Sequence, residues 1–373
     1  MRAANIFYLG CKELRSLSRD PVLLFLIVYV FTMGIYSKAT AIPDSLHKAP
    51  LAIVDEDNSP LSARIVSSFY PPHFQVPVLI NQREMDARMD AGLDTFAVNI
   101  PPNFQLDLLA NRAPTIQLNV DATRMSQAFT GNGYIQTIIN QEVDEFVRRY
   151  RGEKAAPANI VIRARFNPSL TQAWFGAVME VINNVTMLSI VLTGASLIRE
   201  REHGTVEHLL VMPVTPLEIM ISKIWGMGLV VLVSCAIALH VVVRGLLAVT
   251  IEGSLALFFL GASLHLFATT SMGILMGTVA RSMPQFGLLM MLVLLPLQML
   301  SGSVTPRESM PVIVQNLMQI APTTHFVALA QTILYRGGGF EVVWLHFIKL
   351  IVIGCSLFMF SLARFRKAIS LMA

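Results

Sequence analysis

Polar side chains inside the long apolar runs of this chain are few enough to weigh singly. Glu180, Asn183 and Asn184 stand at i, i+3 and i+4, which places all three on one face of a helix. An ionised carboxylate at the centre of a bilayer costs about 3 kcal/mol on insertion scales, so Glu180 must face protein or a wet cleft. Two readings stay open. One is a translocation path favouring cationic or amphipathic cargo. The other is a carboxylate hydrated near the outer interface, with the asparagine pair bonding a neighbouring helix. His240 and Arg244 are one turn apart near the outer end of their run, where arginine can snorkel. His265 has no partner visible in the sequence and reads as a core residue.

Recognisable catalytic patterns are missing. No Gly-x-x-x-x-Gly-Lys-Ser/Thr loop occurs, and Gly337 to Gly339 run into Phe340-Glu341 without a lysine to reach a phosphate. There is no His-Glu-x-x-His, no aspartate pair within the apolar runs and no serine with a base at recognisable spacing. Cys11, Cys235 and Cys355 fall in or beside apolar segments, with neither a disulfide framework nor zinc spacing. The chain is therefore expected to be no enzyme, with no catalytic residue, metal or bound cofactor of its own.

The elements that position these residues follow from composition and periodicity. Hydrophobic residues make up 54% of the 373 and charged residues 14%, the balance of a membrane protein. A net charge of +4 is too small to suggest nucleic acid. Residues 1–19 read as an interfacial amphipathic helix, with Lys12, Arg15 and Arg19 on one face and Ile6, Phe7, Cys11, Leu14 and Leu17 on the other. Residues 20–41 give the first span, its apolar run starting at Asp20-Pro21. Ala39-Thr40-Ala41 fits a signal-peptidase site, but the basic region before it is too long for a signal peptide, which favours an uncleaved span.

Residues 42–168 have soluble character. Strand-like runs at Leu51 to Val54, Val76 to Ile80, Thr95 to Ile100, Ile116 to Val120 and Ile160 to Phe166 alternate with helices started at Ser59-Pro60 and at Asn81 with Glu84. The longest helix is expected from Met125 to Tyr150, weakened near Gly131 and Gly133. Residues 169–373 return to membrane character, with spans at Trp174 to Ile198, Ile219 to Val249, Leu255 to Val279, Phe286 to Leu300 and Trp344 to Leu362. Gly273-x-x-x-Gly277 offers close helix packing. Residues 301–336 carry two short stretches, Glu308 to Ile320 and Thr324 to Leu334, of re-entrant or interfacial look. The fold class is thus a polytopic α-helical membrane protein of six spans, with a large α/β domain inserted between the first two.

One densely charged stretch, Arg199 to Lys223, separates two of these spans and is read as a structured loop. Pro213 stops a short helix-permitting run from Val206 to Met212. Thr215-Pro216-Leu217-Glu218 forms a capping box, with Val214 and Ile219 as its staple. Glu-Arg-Glu-His-Gly-Thr-Val-Glu-His-Leu-Leu-Val-Met-Pro, Glu200 to Pro213, resembles the coupling segment of ABC-2 type permeases, the membrane subunits of ATP-driven exporters. In detail the chain resembles bacterial inner-membrane members of that family, over essentially its whole length.

The resemblance implies a permease that forms a path with a second permease, identical or related, while separate ATPase subunits carry ATP and Mg. In that family the first and fifth spans supply much of the dimer and path surface, so the resemblance makes the Gln298 to Gly302 break a further path candidate. Glu202, Gly204, Thr205, Glu207, His208, Leu209 and Pro213 are the residues expected to meet the ATPase. Arg199 to Glu202 also read as interfacial anchors pairing with lipid or one another. The cargo expected is drug-like or cationic, and a periplasmic membrane-fusion adaptor is a further expected partner. The Lys and Arg near the span ends put both termini in the cytoplasm and the insert outside, the ABC-2 exporter arrangement in a bacterial inner membrane. The competing reading is an ABC-coupled mechanotransmission protein that regulates an extracytoplasmic partner without moving cargo.

Overall fold

The computed structural model describes residues 3–40, 48–121, 125–151, 172–202, 214–305 and 307–370. The chain divides into two compact units: Met1–Ala41 with Ala164–Ala373, and Ile42–Arg163.

Helix α1 (Ala3–Ser18) opens the first unit. Among the described residues six helices are long and apolar enough to cross a membrane: Pro21–Thr40, Phe175–Glu202, Pro216–Leu246, Leu255–Val279, Met283–Leu300 and Phe340–Ser370. They are called the first to sixth spans below. The first contains a π-helical stretch, Val30–Gly34, and the third ends in another, Ala238–Leu246. His240 and Arg244 lie exposed in the latter, where His240 Nδ1 donates to the carbonyl of Ala236 at 2.9 Å.

The fourth span is the centre of this unit, packed against the second, the third and the sixth. Small residues set its approach to the second. A β-carbon at Gly273 would lie 2.7 Å from the Ile190 carbonyl oxygen, and one at Gly277 3.0 Å from that of Gly194. Gly273-x-x-x-Gly277 is therefore used within the chain. Hydroxyl bonds line the same seam: Ser189 Oγ donates to Thr269 Oγ1 at 2.7 Å, and Thr186 Oγ1 lies 2.8 Å from His265 Nε2. His265 is fully buried and stacks on Phe326 at 4.2 Å, so it has the partners its sequence neighbours did not show.

Residues 42–163 form an α/β unit. Its sheet runs β2 (Val78–Leu79), β1 (Leu51–Asp55), β3 (Phe96–Ile100), β4 (Gln117–Val120). β1 is parallel to both neighbours and β3 is antiparallel to β4. The continuous apolar run of β1 fits a strand covered on both faces. Helices α2 (Pro60–Ser67) and α3 (Gln82–Asp90) begin at the capping boxes of Ser59 with Ser62 and Asn81 with Glu84. They are followed by α4 (Phe104–Leu109) and α5 (Met125–Arg151). α5 is unbroken at Gly131. A β-carbon there would stand 2.1 Å from the Phe96 ring, so the glycine admits the helix to the sheet rather than weakening it. The strand expected at Ile160 to Phe166 lies outside the described residues.

In the first unit, two short helices, α6 (Val312–Met318) and α7 (Pro322–Leu334), separate the fifth and sixth spans. The largest departure from the sequence reading is at residues 199–223. Arg199 to Glu202 are the last turn of the second span and Pro216 to Lys223 are the first turns of the third, so the connection is shorter at both ends. The capping box of Thr215 and Glu218 stops the third span's N-terminus from fraying, and Val214 packs in one cluster with Ile219.

Gly273→Leu should lower the stability of the purified chain by about 1–3 kcal/mol, because overpacking displaces a fixed backbone oxygen. Gly287→Leu should leave it unchanged, since nothing lies within 4 Å of a β-carbon at that position. Thermal unfolding of both variants in one detergent checks this.

Candidate functional site at the end of the second span

α1 meets the third span where neither helix has a side chain to keep them apart. A β-carbon at Gly10 would overlap the Trp225 indole at 2.0 Å, and one at Gly226 would lie 3.4 Å from the Gly10 carbonyl. The indole Nε1 donates to the Ile6 carbonyl at 3.1 Å, and its ring stacks on Phe7 at 6.0 Å. The face of α1 turned inward therefore carries Gly10, Glu13 and Leu17. Of the apolar face that the helical wheel marks, Leu17 lies on this inward side, which also buries a glutamate the wheel did not single out, while Phe7 stays exposed to the surroundings of the chain.

That glutamate is held by a lysine from the third span. Lys223 is 1% exposed, and its Nζ lies 2.9 Å from Glu13 Oε1, 2.8 Å from Glu200 Oε2 and 2.8 Å from Ser196 Oγ. Ser196 Oγ donates to Glu13 Oε2 at 2.6 Å, and Lys12 pairs with Glu200 and, at 3.6 Å, with Glu13. Two ammonium groups and two carboxylates thus balance at the junction of three helices. Burial alone would raise the Glu13 carboxyl. Lys223, the Ser196 hydroxyl and Lys12 outweigh burial and bring it down to about 2.

The rest of the turn reaches further. Arg199 Nη1 donates to Asp20 Oδ2 at 2.5 Å. Asp20 caps the first span by accepting from the Val22 and Leu23 amides at 3.1 Å, and the Leu23 amide, aided by Arg199, holds its carboxyl below the ordinary value. Arg201 Nη1 donates to the Ala280 carbonyl at 2.6 Å, where the C-terminal end of the fourth span leaves carbonyls unpaired. Glu202 Oε1 accepts from the Met283 amide at 2.9 Å, at the start of the fifth span. Four consecutive side chains therefore reach five other elements: α1 and the first, third, fourth and fifth spans. The sixth span joins through apolar contact, with Leu362 and Phe365 buried in one cluster with Leu197 and Ile219.

Of the residues expected to meet an ATPase, Glu202 is in this cluster. Gly204, Thr205, Glu207, His208, Leu209 and Pro213 lie outside the described residues. Sequence reasoning missed Glu13, Ser196 and the burial of Lys223. The available signal was a lone acid on a basic helix, together with a lysine two turns inside an apolar run.

The four path candidates are placed apart from this site. Glu180 and Asn183 are half-buried. A β-carbon at Gly176, one turn before Glu180, would lie 3.4 Å from the Lys38 carbonyl oxygen, so this part of the second span packs on the end of the first. Asn184 is buried and its Nδ2 donates to the Val30 carbonyl at 2.9 Å, within the π-helical stretch that frees such oxygens. The Gln298 carbonyl accepts from Ser301 at 3.2 Å and Ser303 at 2.9 Å, and its side chain is half-buried. No hydrogen bond joins the four side chains to one another among the described residues.

Lys223→Met should cost about 3–5 kcal/mol of stability by leaving two carboxylates buried without their cation. Adding Glu13→Gln and Glu200→Gln should restore most of it in the same thermal assay. The pH dependence has a definite sign. Because Glu13 is lowered from 4.5 to about 2, its stabilisation is complete above pH 4.5 and is lost as the pH falls toward 2. Hydrogen exchange of α1, corrected for intrinsic rate, should stay flat from neutral pH to that limit and rise below it. Glu13→Gln should show raised exchange at neutral pH and no such step.

The family described as "ABC-2 family transporter protein" matches residues 22–363. The inner membrane transport permease YhhJ of Escherichia coli K12 is 64% identical over 369 residues, 99% of each chain. The probable multidrug ABC transporter permease YbhR of the same strain is 28% identical over 365 residues, covering 96% of this chain and 97% of that one. Its probable multidrug ABC transporter permease YbhS is 27% identical over 343 residues, 87% of each. With six apolar helices and a match across nearly the whole sequence, the chain belongs to the ABC-2 transporter family as a multi-pass inner-membrane permease subunit.

Proposed function

We propose that this permease pairs with a second permease, identical or related, and with separate ATPase subunits carrying ATP and Mg, to export a drug-like or cationic compound. The observation that supports this most is the last turn of the second span. It carries the first residues of Glu200 to Pro213, the stretch that resembles a coupling segment, and its side chains bond α1 and the first, third, fourth and fifth spans. A force applied to that stretch reaches each of those elements through a direct bond.

The same bonds support an orientation. They gather α1, Arg199, Arg201, Lys223 and the neighbourhood of Arg281 at one end of the helices, and the cluster of Leu362 and Phe365 brings Arg364, Arg366 and Lys367 there. A face so rich in Lys and Arg is cytoplasmic by the positive-inside rule, which puts both termini inside and residues 42–163 outside. The size of that outer unit suits a periplasmic adaptor. For the path, half-buried Glu180, Asn183 and Gln298 are the residues to test, while Asn184 holds the second span to the first. The word "multidrug" in the names of two relatives supports a drug-like cargo.

The test is to reconstitute the chain with its genetically neighbouring ATPase in inverted vesicles, and to measure ATPase activity and uptake of a lipophilic cationic dye. The wild type should modulate hydrolysis and accumulate dye. Gly204→Pro should still insert but lose both, and Glu180→Gln should keep coupled hydrolysis and lose most of the uptake. If hydrolysis is coupled and no dye or drug-like compound moves, the mechanotransmission reading replaces this one. If the chain neither binds nor modulates the ATPase, the coupling assignment falls.

A further inference from the structure

The head of α7 has donors without acceptors. The helix starts at Pro322, and no side chain caps it, the N-cap position being Ala321. Its first-turn amides therefore need an acceptor from elsewhere. Thr323 and Thr324 in that turn are 3% and 2% exposed, and the hydroxyl of each lacks a hydrogen-bond partner among the described residues. His325 follows, also buried, and its Nε2 donates to the Gln319 carbonyl at 2.9 Å. With the proton on Nε2, its Nδ1 stands 3.4 Å from Nδ1 of His346 on the sixth span.

Positive charge gathers at the same place. Lys349 is one turn beyond His346 and half-buried, and its Nζ comes within 3.5 Å of Oε1 of Gln319, the residue that also holds His325. Arg307 lies in a single 3-10 turn before α6, and its Nε is buried with no partner among the described residues. Burial, backed by Lys349 and Arg307, holds the His325 imidazole below its ordinary value against the Gln319 carbonyl, which favours the proton. Among the described residues neither cation forms an ion pair with a carboxylate. A cation withdrawn from water is tolerated only when a counter-charge meets it.

We infer that the head of α7 binds a phosphate-type oxyanion, held by the Thr323 and Thr324 hydroxyls, the uncapped amides, Arg307 and Lys349. The donors select the class. Two hydroxyls, two amides, a guanidinium and an ammonium outnumber the acceptor positions on the two oxygens of a carboxylate, whereas a phosphate at a helix N-terminus can use them. The surroundings suit a phospholipid headgroup. Ile313 and Leu317 of α6 are exposed, as are Leu345 and Ile348 beside His346 and Lys349, an apolar surface on which acyl chains can lie. Free phosphate shares the headgroup's chemistry, and the experiment separates the two. The inference uses neither the coupling stretch nor the orientation of the chain.

The experiment follows hydrogen exchange of the peptide covering residues 319–327 in the full chain, delipidated in phosphate-free dodecyl maltoside, with dioleoylphosphatidic acid, dioleoylglycerol or inorganic phosphate added. Phosphatidic acid should slow exchange there saturably, by about tenfold at ten times its dissociation constant, while dioleoylglycerol, which lacks the phosphate, should not. Protection by phosphatidic acid alone assigns the site to a headgroup, and equal protection by inorganic phosphate assigns it to the free ion. Arg307→Gln with Lys349→Gln should raise the half-saturating concentration about tenfold or more, the worth of one charge-assisted hydrogen bond. Without ligand that variant should unfold no earlier than the wild type, because the cations it removes are unpaired. Arg15→Gln with Arg19→Gln, which removes cations of α1, should change nothing in this peptide. Protection by dioleoylglycerol, none by either phosphate compound, or unchanged binding in the Arg307 and Lys349 variant overturns the assignment. Earlier unfolding of that variant without ligand would show the cations paired within the chain and overturns it equally.

Discussion

The structure of the first unit depends on a lysine placed where a lysine is expensive. Lys223 lies two turns inside the third span, nearly inaccessible to water, and is tolerated because Glu13 and Glu200 reach it from two other helices. Each charge in the group would be unaffordable alone, so none of the three helices can leave without stranding the others. Apolar packing supplies area but little directionality. The ion group instead fixes α1 against the second and third spans, and the Trp225 indole over Gly10 leaves no room for a side chain at that position. An amphipathic helix resting on the headgroups would be free to slide. This one is bonded to the transmembrane helices.

Beyond Lys223, the second span acts as the common strut. Its last turn binds the cap of the first span, the end of the fourth and the start of the fifth, and its middle is locked to the fourth by glycine contacts and buried hydroxyl bonds. At the other end of this helix Tyr335 donates to the Phe175 carbonyl at 2.7 Å and stacks on the Phe175 ring. Asn184 meets the one stretch of the first span whose backbone departs from α-helical bonding. A helix so fastened along its length suits the transmitting role proposed for it. By contrast, the first and fifth spans expose rows of large apolar side chains, such as Val28 and Met33 or Leu288 and Leu292, to whatever surrounds the chain.

Much of this was legible in the sequence because the signals are local. Hydropathy located six spans, and the cap residues Ser59, Asn81, Asp20 and Thr215 marked helix starts that the structure keeps. Long-range pairing was not legible. Glu13 and Lys223 are 210 residues apart, and nothing in periodicity links them. Arg199 to Glu202 looked like the opening of a loop because charge usually ends a span. They continue the helix because every charge in that turn finds a partner on another element. Gly131 misled in the same way: helix propensity counts the missing side chain as a loss, whereas the Phe96 ring needs the space. The ATPase contact proposed for Gly204 to Pro213 rests on family resemblance alone, and those residues lie outside the described ones.

The central claim is that the last turn of the second span distributes motion from the coupling segment to the elements bonded to it. The direct measurement is hydrogen exchange of the permease–ATPase complex, compared between the nucleotide-free and the vanadate-trapped states. The account predicts that α1, residues 196–202, the first turns of the third span and the junction around Ala280 to Met283 change protection together. A change confined to residues 203–213, with α1 and that junction unaltered, would contradict it.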